Sequence, residues 1–450
     1  MIGVPLSRWT MTYFSLALIV LIGAELLMVA GFGYPSQPPE APETLALVHF
    51  VAVGWLSLLL SGALIQFVPV LVAKPLAYPE LPAVALSCLV VGLASLVAGF
   101  LVMAGAPLGA LPWLPFGAIC LATGFALNIW NLGQTIRSAG QIGLPARFVT
   151  VGLASLVGVV IFGMIFAFVL GGWSTNSVLV RLTAQGIPFH AGLGVGGWLT
   201  FTAMGVSYRL LAMFMLAPEA EHASSRIALV SGAASILFLA VGGPVCILIG
   251  QSVSHPLLVA LALANVSLVL YGFDIVRLYR ARKRRTLELN SRMAAWALTG
   301  LGIASLLLVA LTILGPIDRW IGAVTFVAAF GWLTGLGLAK LYKIVAFLTW
   351  LECYGSLLGK RPTPRVQDLV NEPRARPLFW LYFGSVGAAS LAAFLSAPLA
   401  FRFAAIGILV ATVGICVELV LIRTLKSVSE PMLPPGDQPR SRFLLPSLHR

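Results

Sequence analysis

Apolar runs of about 20 residues recur from one end of the chain to the other, each followed by a polar break. At about 1.5 Å of helical rise per residue, such a run covers the roughly 30 Å of hydrocarbon in a bilayer. Twelve can be marked off, at 11–31, 46–70, 82–104, 112–136, 148–171, 188–214, 226–250, 256–278, 292–315, 320–347, 376–396 and 400–424. The first leads into the loop "GYPSQPPEAPET" with no small-residue cleavage site, so it reads as a true span. The other outer loops are short apart from "GGWSTNSVLVRLTAQGIP", and none holds a soluble catalytic domain. The pattern predicts an all-α membrane fold of twelve transmembrane helices, forming one domain over residues 1–430. The Pro- and Arg-rich tail, 431–450, reads as a disordered cytoplasmic extension.

Composition agrees with the pattern. The 450 residues are 59% hydrophobic and only 10% charged, more apolar surface than a soluble chain of this size can hide. The net charge of +13 invites a nucleic-acid reading, but its placement argues otherwise. With the N-terminus inside, 25 of the 28 Lys and Arg residues fall on the inner side, and only Arg181, Arg319 and Arg402 fall outside. The loop "RLYRARKRRTLELNSR" is the densest inner cluster. This one-sidedness follows the positive-inside rule, and the basic surface it creates suits anionic lipid headgroups. The five cysteines are scattered, without a CxxC or a pairing pattern, and read as small apolar helix residues.

A phrase recurs three times. From Gly54 the chain reads "GWLSLLLSGALIQFVPV", from Gly197 "GWLTFTAMGVSYRLLAM", and from Gly331 "GWLTGLGLAKLYKIVAF". Without gaps, Gln66, Arg209 and Lys343 coincide, as do Ile65, Tyr208 and Tyr342. The copies lie 143 and 134 residues apart, each on the second helix of a set of four. The chain therefore reads as three quasi-repeats of four helices, about 1–140, 141–285 and 286–430. Glycine and small residues in the phrase favour close helix packing. Its Trp suits either an interfacial belt or a gap in the bundle, and its Arg and Lys can snorkel to the inner headgroups.

Two copies also carry a histidine near the outer end of their helix. His49 lies five residues before Gly54, and His190 seven before Gly197. The place equivalent to His49 holds Gly192 in the second copy and Phe326 in the third. On an α-helix a two-residue offset turns a side chain by about 200°, so the two histidines are read as separate candidates.

Twelve helices in three sets of four, with "HFVAVGWLSLLLSGALIQFVPV" and "HAGLGVGGWLTFTAMGVSYRLL" on helices 2 and 6, resemble subunit I of the heme-copper oxidases. The nearest likeness is to the C-type branch, with the heme- and copper-containing NnrS proteins as neighbours. The resemblance implies that His49 stands in the place of a low-spin heme ligand. It puts His190 close to the place of a copper ligand, with the HAH of the family become HAG. Heme and copper are the cofactors it brings, and a bacterial inner membrane with both termini cytoplasmic is the setting. The lipid bilayer is one partner, and a further membrane subunit or a small gas ligand is what the likeness adds. Helix 7, "IALVSGAASILFLAVGGPVCILIG", lacks the family's His-His pair, and helix 10 lacks its two heme-ligating histidines. Oxygen or nitric oxide reduction by the family's mechanism is therefore not expected.

Other polar residues at membrane depth are candidates by default, because they are costly there. Glu25 lies near the depth of His49 and suits a carboxylate that orients it from behind. A protonated acid in a helix contact is the alternative. Glu418 suits a pair with Lys340, and Asn128, Asn131 and Gln134 form a stripe on helix 4. Asn265 sits mid-span on helix 8, where interhelical hydrogen bonding is the ordinary role. His222, His255 and His449 read as surface residues. Three functions stay open: a heme- or metal-binding membrane protein without oxygen reduction, a cofactor-free permease-like protein, and an accessory or assembly subunit. Reporter fusions at residues 40 and 286 should report opposite compartments. The same compartment at both positions would break the twelve-helix topology.

Overall fold

The computed structural model describes residues 4–109, 111–219 and 221–434. Most of the proposed tail, 435–450 with His449, lies outside them. Eleven helices among the described residues are long and apolar enough to cross a bilayer. In chain order they are α1 (Arg8–Ala30), α2 (Pro42–Val72), α3 (Leu81–Met103), α4 (Trp113–Arg137), α5 (Leu144–Leu170), α7 (Ala223–Leu248), α8 (Ser254–Arg280), α9 (Leu289–Leu314), α10 (Ile317–Leu357), α11 (Glu372–Phe394) and α12 (Pro398–Arg423). The sixth predicted helix, α6, is helical throughout 187–215, but its glycines, hydroxyls and Arg209 leave it less apolar than the eleven. A short helix, Ser177–Gln185, precedes it, and Gly186 and Pro188 mark the break between the two.

The helices pack in pairs. α1 lies on α2 and α3 on α4; α5 lies on α6 and α7 on α8; α9 lies on α10 and α11 on α12. Small residues permit these contacts, since little hydrophobic drive exists between helices in lipid. A Cβ on Gly117 would stand 2.6 Å from the Leu96 backbone of α3, and one on Gly300 would stand 2.8 Å from the Gly331 backbone of α10. The glycines that open the first two copies of the phrase serve the same purpose, whereas a Cβ on Gly331 would meet nothing closer than 3.7 Å. A Cβ on Gly54 would strike Val20 of α1 and Leu93 of α3, and one on Gly197 would strike Ser155 of α5.

α2, α6 and α10 meet at the centre, and each is wound as a π-helix where they meet. The π segments are Phe50–Ser57, Gly192–Phe201 and Val327–Thr334, so each contains its Gly-Trp-Leu. Wider winding leaves backbone carbonyls free for side chains. Leu193 O accepts from Ser155 Oγ at 2.9 Å, and Phe330 O accepts from Tyr382 Oη at 2.8 Å.

The three tryptophans do not belong to the interfacial belt. Trp55, Trp198 and Trp332 are fully or almost fully buried, and they bond in a closed ring. Trp55 Nε1 donates to Thr334 Oγ1 at 2.9 Å, Trp332 Nε1 to Thr200 Oγ1 at 3.2 Å, and Trp198 Nε1 to Ser57 Oγ at 2.9 Å. The first copy thus donates to the third, the third to the second and the second to the first, each time to the hydroxyl two positions after the accepting copy's Trp. A buried donor that loses its partner costs about 1–3 kcal/mol. Thr200→Val, Thr334→Val and Ser57→Ala should therefore destabilise the purified protein by comparable amounts in that range, read as thermal or detergent unfolding. A neutral result at any of the three would show that the ring is incidental there.

Candidate functional site

His49 ends the first α-helical turns of α2, Pro42–His49, just before its π segment. His190 lies in the turn Ile187–Ala191 that opens α6, two residues before its π segment. The two-residue offset does not keep them apart. Their ring centroids are 6.5 Å from each other and their planes are inclined by 27°. The estimate of 200° assumed α-helical winding, whereas both helices change to π winding within two residues of the histidines. Gly186 also breaks the helix before Ile187, so the start of α6 takes its own phase.

One imidazole is fixed through a ring nitrogen, and the other has a buried nitrogen left open. His49 Nδ1 donates to its own helix at Leu45 O, 2.7 Å away, which leaves Nε2 with its lone pair. The buried Nδ1 of His190 has no partner. Fixing one ring nitrogen sets the tautomer and presents the other as a ligand. Phe100 of α3 flanks His49 at 5.1 Å, and Phe166 of α5 flanks His190 at 5.4 Å. A Cβ on Gly163 would stand 3.5 Å from His190 Cε1, so the glycine leaves that edge of the ring uncrowded.

Glu25 does not join this pair. It is fully buried on α1, and its Oε1 accepts from Thr412 Oγ1 of α12 at 2.8 Å, while its Oε2 has no partner. The hydrogen bond to His49 that its depth suggested is not made, because depth says nothing of which side of α1 a residue takes. The pairing of Glu418 with Lys340 is also absent. Arg374 holds Glu418 through Nε at 2.5 Å and Nη2 at 2.9 Å. Lys343 does not snorkel either; it meets Glu288 at 2.7 Å, and Arg284 binds the same carboxylate.

Within the polar stripe on α4, Asn131 serves the fold, whereas Asn128 Nδ2 is buried without a partner. Asn131 exchanges two hydrogen bonds with the Tyr78 backbone at 2.9 and 2.8 Å, and Thr135 Oγ1 accepts from Ala77 N at 3.0 Å. Asn265 accepts from Ser305 of α9 at 2.6 Å, the interhelical bond expected of it. His222 caps the start of α7, and His255 begins α8 rather than lying in a loop. Sequence reasoning passed over Asp274, which is fully buried and accepts from Tyr208 Oη at 2.9 Å and Ser224 Oγ at 2.5 Å. Its place between Phe273 and the basic run after α8 had hidden it among inner-face charges. The five cysteines are free, and no cluster of three or more His, Cys, Asp or Glu residues suited to a metal occurs among the described residues.

The fold is a helical membrane bundle of the heme-copper oxidase kind. A solved heme-copper terminal oxidase, determined as a dimer, superposes with a TM-score of 0.57 over 98% of this chain and 86% of its own, at 13% identity. That likeness is one of fold. No family model matches the sequence, and no curated protein matches it.

Proposed function

We propose that the protein is a cofactor-binding membrane protein on the heme-copper oxidase scaffold. Its site is the pair His49 and His190, which hold one metal centre between α2 and α6 without turning over oxygen. The observation that carries this reading is the facing pair, with His49 fixed through Nδ1 and His190 Nδ1 without a partner. The two rings, 6.5 Å apart, would hold the centre between them. Imidazole suits both copper and iron, so a copper ion or a heme iron fits the donor set. When bound, the centre would supply reversible one-electron chemistry or a binding position for a small gas. The residues around it would orient the ligands and, through Phe100 and Phe166, keep water away.

The same proposal takes α6 as a twelfth span and the chain as three quasi-repeats of four, in a bacterial inner membrane with both termini cytoplasmic. Kinship with the C-type oxidases and NnrS proteins belongs to it as well. The cofactor-free permease reading is the weaker one, because Asn131, at the middle of the α4 stripe, is spent on the loop after α2.

Protein expressed with ample heme and copper should carry iron or copper near one atom per chain, with a Soret band if the centre is heme. His49→Ala and His190→Ala should each lose most of it, and Glu25→Gln should keep it. A metal-free, colourless wild type overturns the proposal, as does full retention in both histidine variants. The purified protein should also show no steady oxygen consumption with reduced donors, since α7 and α10 offer no histidine to complete a copper site. Turnover that survives removal of contaminating oxidases would contradict that ligand count.

A further inference from the structure

The C-terminal end of α6 and the basic loop after α8 enclose an open cleft of about 470 Å³, lined by Arg209, Met213, Leu216, Glu219 and Lys283 among others. Arg284 N donates to Met215 O at 3.4 Å, which holds the loop against the helix end and sets Lys283 on the cleft. Arg209 lies six residues before Met215, or about 9 Å of helix axis inside that end. Among the three equivalent positions of the repeat, it alone reaches the surface. Gln66 and Lys343 are buried, and Lys343 is paired with Glu288, whereas the Arg209 side chain is 40% exposed. Arg209 meets Glu219, which is more exposed still, and Lys283 adds a second exposed cation.

An exposed ion pair of this kind contributes little to stability. A cation that faces outward short of a helix end is costly against hydrocarbon and is relieved by a headgroup phosphate. Met213 and Leu216, on the same cleft, are 41% and 56% exposed, so an apolar rim adjoins the charges. That pairing suits a phospholipid, with headgroup on the charges and the start of its chains on the rim. The signs narrow the class. Arg209 and Lys283 suit a phosphate, the guanidinium by reaching two of its oxygens. Glu219 opposes a headgroup that is only anionic and suits one that also carries an ammonium. A primary ammonium donates hydrogen bonds to a carboxylate, whereas a trimethylated one has no N–H to give. The cleft also falls within the roughly 300–1,000 Å³ typical of small-molecule sites. We propose that it binds a phosphatidylethanolamine-class lipid, its phosphate on Arg209 and Lys283 and its primary ammonium on Glu219. The site lies at the opposite end of α6 from His190 and does not depend on the histidine pair.

The test is native mass spectrometry of the full chain in detergent, titrated with dioleoyl phosphatidylethanolamine, phosphatidylcholine and phosphatidylglycerol. Wild type should retain one ethanolamine lipid per chain, at least fivefold more tightly than either of the others. Glu219→Gln should bring the ethanolamine and choline lipids to equal affinity and strengthen the glycerol lipid. Lys283→Gln should weaken all three at least threefold and keep their order. Both side chains are exposed, so these variants leave the packing of the bundle untouched. Glycerophosphoethanolamine, the same headgroup without chains, should fail to displace the bound lipid. Equal affinity for the three lipids in wild type overturns the proposal, and so does tightest binding of phosphatidylglycerol, which would mark a plain basic patch. An ethanolamine preference that survives Glu219→Gln, binding indifferent to Lys283→Gln, or displacement by the chainless headgroup would each overturn it as well.

Discussion

The structure turns on three hydrogen bonds from indole N–H groups to hydroxyls, each made between different copies of one phrase. In a bilayer a buried donor has no water to fall back on, so each indole must find a protein acceptor. Trp55, Trp198 and Trp332 find theirs on Thr334, Ser57 and Thr200, which closes a ring that no single pair of helices can form. The ring sets the depth and rotation of α2, α6 and α10 relative to one another. Everything else in the bundle hangs on those three helices. The π winding follows from the same demand, since a wider turn at each Gly-Trp-Leu lets a large ring reach the centre while the glycine admits the neighbouring helix.

Charge closes the other end. α11 and α12 are tied by Arg374 and Glu418, and α10 and α12 by Arg423 and Glu352 at 2.9 Å. Lys343 draws the loop before α9 onto α10 through Glu288. Such pairs are weak evidence of net stability, because desolvation offsets their attraction. Their consequence here is geometric: they engage Glu418, Glu352 and Glu288, while Lys340 Nζ is left without a partner.

Much of the scaffold was legible in the sequence because membrane spans obey length and apolarity, which need no knowledge of neighbours. The three copies of Gly-Trp-Leu were visible for the same reason. Their meeting at the centre was not, because an interfacial belt predicts the same Trp equally well, and only the hydroxyls at Ser57, Thr200 and Thr334 distinguish the two. The site was half legible. His49 and His190 stood out as rare polar residues near helix ends, but rotation had been reckoned with α-helical geometry that the π segments do not keep. Glu25, read either as a partner of His49 or as an acid in a helix contact, makes a helix contact with Thr412, and Glu418 pairs with Arg374 rather than Lys340. A sequence read by hydropathy gives depth along a helix far better than direction around it.

That distinction bears on where function resides in a repeated fold. Positions that hold the bundle together are alike in all three copies: the glycine, the Trp and the hydroxyl two residues after it. Positions that carry reactive groups are not. His49 has Gly192 and Phe326 as counterparts, His190 stands two residues out of register, and Lys340 matches Ala63 and Val206. A residue kept alike by packing cannot give one interface a property the other two lack. The histidine pair falls between the first and second copies, and the lone lysine belongs to the third. The histidine pair proposed as the site therefore falls where the repeated phrase is broken, on a frame that its unbroken part holds in place.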